Sequence, residues 1–264
     1  MRGRPEFIAG LVVVALAAVL SVRADYTNGL VARWTFKFAD KTFDDVGVNS
    51  AVTVGNGVTF VNGYAVFNGD ATAKLNAGIG AGGELDITPA LTIWMRVNLN
   101  AGTNWQGLAQ RWGTAVTNQS YTWYVRPPTL CVMQMSQKDR QYTNATDYVQ
   151  TVGSALPAYN YTNYFDDFHN VALVFNPTKA VNFGAWEFYI DGTRVAWQTS
   201  YKLTNSVGGG YWNVGTWTST EPLIFGSLLG VVDEIRVYNQ SLDSTSLNQI
   251  VPYVIPCGAL FSFH

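Results

Sequence analysis

The sequence predicts an all-β fold, two antiparallel sheets stacked as a jelly-roll sandwich, and three observations predict it. Apolar residues recur at every second position in short runs, which is the period of a strand with one buried face. Turn dipeptides separate these runs. The composition is rich in aromatic residues (14%) and glycine (25 residues), which suits strands and tight turns. Sheets with one apolar face hide that face by stacking on one another.

The elements follow in order along the chain. Met1-Arg-Gly-Arg-Pro5 is positively charged, Phe7 to Leu20 is apolar, and Val22-Arg-Ala24 has the form of a cleavage site before Asp25. Residues 1–24 therefore read as a secretory signal peptide. The rival reading is a signal anchor, for which the run is short against the roughly 20 residues of a spanning helix. No later segment reaches spanning length. Residues 25–250 are expected to form the sandwich domain and residues 251–264 a C-terminal tail. Leu30, Ala32, Trp34 and Phe36 share one face of the first strand. Leu91, Ile93, Met95 and Val97 repeat the pattern, as do Val171, Leu173 and Phe175, then Trp186, Phe188 and Ile190, and last Ile235 and Val237. Between them stand Asn28-Gly29, Asn56-Gly57, Asn62-Gly63, Asn68-Gly69 and Asp191-Gly192. One short helix is expected over Ser241 to Ile250, capped by Ser241 or Asp243. Pro252 and Pro256 argue against helix in the tail.

Charged residues are 13% of the chain, against about 25% in a typical soluble domain. That balance excludes a mainly disordered protein. The net charge is −2 with no basic block, so no nucleic-acid footprint is present. A signal peptide places the domain outside the cell, in a secreted, oxidising setting. The two cysteines, Cys131 and Cys257, then either pair and tie the tail to the body or stand as two thiols. Two spaced cysteines cannot make a structural zinc site. Sequons at Asn118, Asn144, Asn160 and Asn239 are candidate glycosylation sites.

A series of segments resembles a known family. Gly29-Leu-Val-Ala-Arg-Trp-Thr-Phe36, Phe43-Asp-Asp-Val-Gly47 with Asn49, Gly63-Tyr-Ala-Val-Phe-Asn-Gly69 and Leu91-Thr-Ile-Trp-Met-Arg-Val97 come first. Phe168-His-Asn-Val-Ala-Leu-Val-Phe175, Trp186-Glu-Phe-Tyr-Ile-Asp-Gly192 and Val232-Asp-Glu-Ile-Arg-Val-Tyr-Asn239 follow. In this order they are similar to the strands of the concanavalin A-like lectin/glucanase superfamily, specifically its laminin-G-like jelly-roll branch. The resemblance spans residues 28–250. It departs at Val46-Gly47, which replaces the family's Ser-Gly, and at Trp94, which comes two residues early so that Arg96 takes the usual tryptophan place. Residues 103–165 match no motif. The resemblance implies carbohydrate binding, adhesion or polysaccharide chemistry without choosing among them. It also implies a calcium ion between the early acidic loop and the closing strand. The matching oxygen donors are Asp45 and Asp233, with Asp44 and Asn49 beside them, and an Asx-turn loop is the alternative.

Chemistry in the sequence favours binding over catalysis. A glycosidase needs two carboxylates on one face flanking the scissile bond. The five glutamates, Glu6, Glu84, Glu187, Glu221 and Glu234, do not supply them, and the neighbours Asp233 and Glu234 are expected on opposite faces of their strand. His169 reads as a hydrogen-bonded strand histidine. Sugars are met by flat aromatic faces with amides or hydroxyls in reach. Trp105 and Trp217 stand in polar loops, where they either contact ligand or fold back over the core. Trp112 and Tyr124 complete the ligand-binding candidates, while Trp34 and Trp186 fit core positions. The expected function is a secreted, non-catalytic lectin-like module, its partner a glycan or glycoprotein of a cell surface or matrix. A protein-binding adhesion module and a polysaccharide-degrading enzyme with non-standard residues are the alternatives.

Overall fold

The computed structural model describes residues 25–46, 52–80, 83–87, 90–100, 106–112, 119–126, 130–135, 148–150, 167–176, 178–179, 186–197, 200–202 and 220–253. Among them the strands are β1 (Leu30–Trp34), β2 (Thr53–Val54), β3 (Val58–Val61), β4 (Tyr64–Asn68), β5 (Lys74–Gly78), β6 (Leu91–Leu99), β7 (Gln106–Trp112) and β8 (Gln119–Arg126). They continue as β9 (Leu130–Met135), β10 (Tyr148–Gln150), β11 (His169–Phe175), β12 (Trp186–Ile190), β13 (Thr193–Trp197), β14 (Ser200–Lys202), β15 (Leu223–Gly226) and β16 (Leu229–Tyr238). The helix α1 is Ser244–Leu247.

Two antiparallel sheets make the predicted sandwich. The larger is eight-stranded, in the order β13-β12-β11-β6-β16-β4-β3, with β1 also on β16. The smaller is six-stranded, in the order β2-β5-β15-β7-β8-β9. β16 lies against β6 on one side and, end to end, against β4 and β1 on the other. Alternation decides which side chains enter the core. Trp34, Ile235, Met95, Leu173 and Phe188 come from the large sheet, and Leu75, Phe225, Ala109 and Trp123 from the small one; all are buried in one cluster. Rings meet between the layers: Trp34 with Phe225 at 5.6 Å, Trp123 with Phe188 at 5.5 Å and Tyr121 with Trp186 at 5.9 Å. Separations and tilts of this kind suit aromatic pairs.

The chain passes from the small sheet to the large one in a few residues. Gly226 (φ +124°) ends β15, and Ser227 (φ +65°) follows it. A Cβ on Gly226 would lie 2.4 Å from the Ala73 carbonyl oxygen, so Gly226→Ala combines a forbidden dihedral with a backbone clash. It is expected to cost about 2–3 kcal/mol, read as a lowered denaturant midpoint with unchanged slope.

The large sheet is also apolar on part of its outer face. Trp94, Ala172, Val174, Tyr189 and Tyr238 form a second cluster, closed by Leu242, Leu247 and Ile250. The predicted helix is shorter than expected. Only Ser244–Leu247 is helical; the Asp243 carboxylate accepts from Ser246 N at 2.8 Å as its cap, and residues after Asn248 turn away to bring Ile250 onto the sheet. Hydroxyl-bearing residues compete with the helical backbone, and burial of Leu247 holds the single turn.

One expectation is corrected. Asp233 and Glu234 do not face opposite ways. The register of β16 on β6 shifts between Val232 and Glu234. Val232 and Ile235 both enter the core, so the two residues between them both project outward: Asp233 bonds outer-face Arg96, and Glu234 bonds Arg236. A β-bulge inserts the extra residue that breaks simple alternation.

Candidate functional site

The outer face of the small sheet carries a polar row. Asn76 stands opposite Ile224, Ile224 opposite Gln110, and Gln110 opposite Thr122. Each alternates with a core residue, respectively Leu75, Phe225, Ala109 and Trp123, so all four project outward. Strand spacing sets them roughly 4.8 Å apart. The Asn76 side-chain oxygen accepts from Gly78 N at 2.9 Å, which fixes the amide. Thr122 is fully buried, yet its hydroxyl has no hydrogen-bond partner among the described residues. Buried polar groups ordinarily have one.

Two of the predicted aromatics border this row. Trp112, at the end of β7, alternates outward from buried Arg111. Tyr124 alternates outward between Trp123 and Val125 and lies opposite Gly107. Both are half-buried. Five residues of β7 separate their positions, roughly 15 Å along the strands. Trp105 and Trp217 lie outside the described residues, as do Asn49, Cys257, Asn118, Asn144 and Asn160. Cys131 falls in β9, and its side chain is likewise outside them. Asn239 is exposed in the turn after β16.

The acidic residues nominated for calcium form a different arrangement. The Asp44 carboxylate accepts from Arg33 N at 2.9 Å and Val46 N at 3.0 Å. This ties the loop to β1 and makes the Asx-turn of the alternative reading. Asp45 takes Arg33 Nε at 3.2 Å. Burial pushes its carboxyl above the ordinary value, against the Thr35 hydroxyl and the Arg33 charge. Asp233 holds Lys37 Nζ at 2.6 Å on one oxygen and Arg96 Nη1 at 3.0 Å on the other. Calcium needs six to eight oxygens converging on one point. Here basic side chains meet Asp45 and Asp233, and among the described residues no group of three or more His, Cys, Asp or Glu could hold a metal ion. The residues present do not fit the ion.

Sequence reasoning missed a larger network beside these acids. Arg236 is fully buried over the Trp94 ring, 5.5 Å from its centroid. Its Nε donates to Glu234 at 2.6 Å, its Nη1 to both Asp25 oxygens at 2.7 and 2.8 Å, and its Nη2 to the Val251 carbonyl at 2.6 Å. Val251 N donates back to Asp25, and Tyr253 N donates to Glu234. Burial pushes the Glu234 carboxyl up, partly offset by Arg236. Asp25 and the segment around Val251 are thus held by one guanidinium. Regular alternation marks Arg236 as outward and exposed; only the covering segment buries it.

Two further ionic clusters tie strands of the large sheet together. His169 Nδ1 lies 2.6 Å from Asp191, whose other oxygen accepts from Asn170 N. The Asp191-Gly192 turn between β12 and β13 thereby anchors β11 as well. Glu187 is pushed up by burial, but Lys179, Arg194 and the Tyr189 hydroxyl outweigh this and hold it below the usual value. No helix among the described residues is long and apolar enough to cross a membrane.

No family model and no curated protein matches the chain. Solved structures do match its fold. The botulinum neurotoxin serotype C1 binding domain superposes with a TM-score of 0.57 at 12% identity, over 85% of this chain and 52% of that one. The binding domain of Paraclostridial Mosquitocidal Protein 1 gives 0.56 at 13% identity over 85% and 52%. The serotype D ligand binding domain, solved in complex with N-acetylneuraminic acid, gives 0.53 at 10% identity over 84% and 50%. This chain spans about half the length of each. At such identities the likeness shows the β-sandwich.

Proposed function

We propose that this chain is a secreted, non-catalytic carbohydrate-binding module of the laminin-G-like kind, which meets its glycan on the outer face of the small sheet. The amides of Asn76 and Gln110, set either side of Ile224 and bordered by Trp112 and Tyr124, carry the reading. They put hydrogen-bonding groups and aromatic rings on one face, which is what sugar hydroxyls and C–H faces require, while Thr122 lies buried beside them. One neighbour in fold was solved with N-acetylneuraminic acid, in keeping with this reading. Asp233 and Glu234 share a face, and Lys37, Arg96 and Arg236 occupy their carboxylates. Secretion follows cleavage after Ala24, which makes Asp25, the residue bound by Arg236, the first of the mature chain. In that setting exposed Asn239 accepts a glycan.

The test is a glycan array followed by titration of the best ligand with the secreted protein and its Trp112→Ala and Gln110→Ala variants. Each variant is expected to lose about tenfold or more in affinity, equivalent to about 1.4 kcal/mol, with an unchanged far-UV spectrum. Absence of any retained glycan, or variants that bind like the parent, would remove the proposal. A specific protein partner captured in its place would favour the adhesion reading.

A further inference from the structure

The acidic positions where the family resemblance implies calcium are met here by the chain's own cations. Asp233 is lodged in the bulge of β16, with its side chain only 4% exposed. Burying a carboxylate this far is costly unless it is paired and hydrogen-bonded. Both its oxygens are engaged, by Lys37 just beyond β1 and by Arg96 of β6. Lys37 is itself largely buried, and its ammonium and the Arg33 guanidinium each lie 5.8 Å from the Tyr253 ring. The ring covers the ammonium and favours its charge. Arg33 in turn engages Asp45. A divalent ion arriving at Asp233 would meet Lys37 and Arg96 already bonded to it.

We infer that Lys37 is a built-in counter-ion of this fold: its ammonium fills at Asp233 the place of an exogenous metal, and the domain folds without calcium. The tether is covalent, so the charge is present at any ion concentration. The lock joins the end of β1 to the centre of β16, two segments far apart in sequence, as a bridging ion would. This inference is independent of the glycan reading, because it concerns only what holds the large sheet.

The experiment is thermal unfolding of the secreted protein in millimolar calcium and in excess chelator, beside Lys37→Met, Asp233→Asn and the double variant. The parent is expected to melt at the same temperature in both solutions and to give no saturable terbium luminescence. Lys37→Met is expected to lower the melting temperature by several degrees, because it leaves Asp233 buried with one cation. Adding Asp233→Asn to it is expected to recover most of that loss, so that the double-mutant cycle shows coupling. A saturable rise of the parent's melting temperature with calcium, abolished by Asp233→Asn, would overturn the inference. So would strictly additive losses in the cycle. The parent arm decides the matter even if a variant fails to fold.

Discussion

Replacing Arg236 with alanine is expected to destabilise the protein by about 3–5 kcal/mol, the cost of breaking a buried ion pair from one side. For a domain of this size that corresponds to roughly 10 °C in melting temperature. The side chain is fully buried, and four acceptor atoms depend on it: one on Glu234, two on Asp25 and the Val251 carbonyl. Its removal leaves Glu234 charged and buried with the Tyr253 N–H and the Arg33 charge alone to offset its burial. The loss has a pH signature. The folded-state Glu234 carboxyl already lies above its ordinary value through burial, and without the guanidinium it rises further. A carboxyl raised in the folded state binds protons more readily there than in the unfolded chain. Stability therefore increases as pH falls through that value. The gap between variant and parent is expected to narrow on mild acidification. Calorimetric scans from neutral to mildly acidic pH check this. A shift under about 2 °C, or a gap that widens with acid, would show that Arg236 is not the tie described.

A comparable loss is expected from Arg111→Ala, at one end of the sandwich. Arg111 is buried beside Tyr121 and reaches three acceptors outside its own strand: Asp86 at 2.5 Å and the Leu85 and Glu221 carbonyls, both at 3.2 Å. Burial raises the Tyr121 phenol beyond its usual range, with the Arg111 charge acting against this. Alanine would remove the cation, free the loop at residues 83–87 and the segment before β15, and leave carbonyls unpaired. About 3–4 kcal/mol is expected. Hydrogen exchange at residues 83–87 and 220–222 is expected to accelerate in step. Arg111→Lys is not expected to restore the parent, because an ammonium cannot span acceptors set for a planar fork. Full rescue by lysine, or unchanged exchange in those segments, would contradict the assignment.

Strand positions, hairpin turns and core faces were legible because side chains alternate with period two and Asn-Gly or Asp-Gly pairs punctuate them. Trp34 and Trp186 fall in the core for this reason. Legibility failed where alternation breaks. The bulge in β16 turns Asp233 to the side of Glu234, and no local pattern marks it. Arg111 lies on the inward side of β7, where alternation asks for an apolar residue; nothing nearby in sequence announces that Asp86 and two carbonyls close over it. The polar row was half-visible. Trp112 and Tyr124 drew notice as aromatics, but Asn76, Gln110 and Thr122 come from three strands and fall into one row, with Ile224 between the first two, only through sheet order. Asp45 and Asp233 were singled out by motif, while the cations that meet them, Arg33 on Asp45 and Lys37 with Arg96 on Asp233, read as ordinary outward charges.

The place of β16 in the large sheet bears on how the molecule comes to be. It is the last strand of the sandwich in the described sequence, yet it is inserted between β6 and the pair β4 and β1. Strands from the first third of the polypeptide therefore wait, unpaired on that side, until residues 229–238 are available. Pairings of such long sequence separation are slow to form, and exposed edges in the interval invite association. An emerging chain thus stays incompletely knit along β1, β4 and β6 until residues 229–238 have been made, and the sandwich sets only once β16 slides between them.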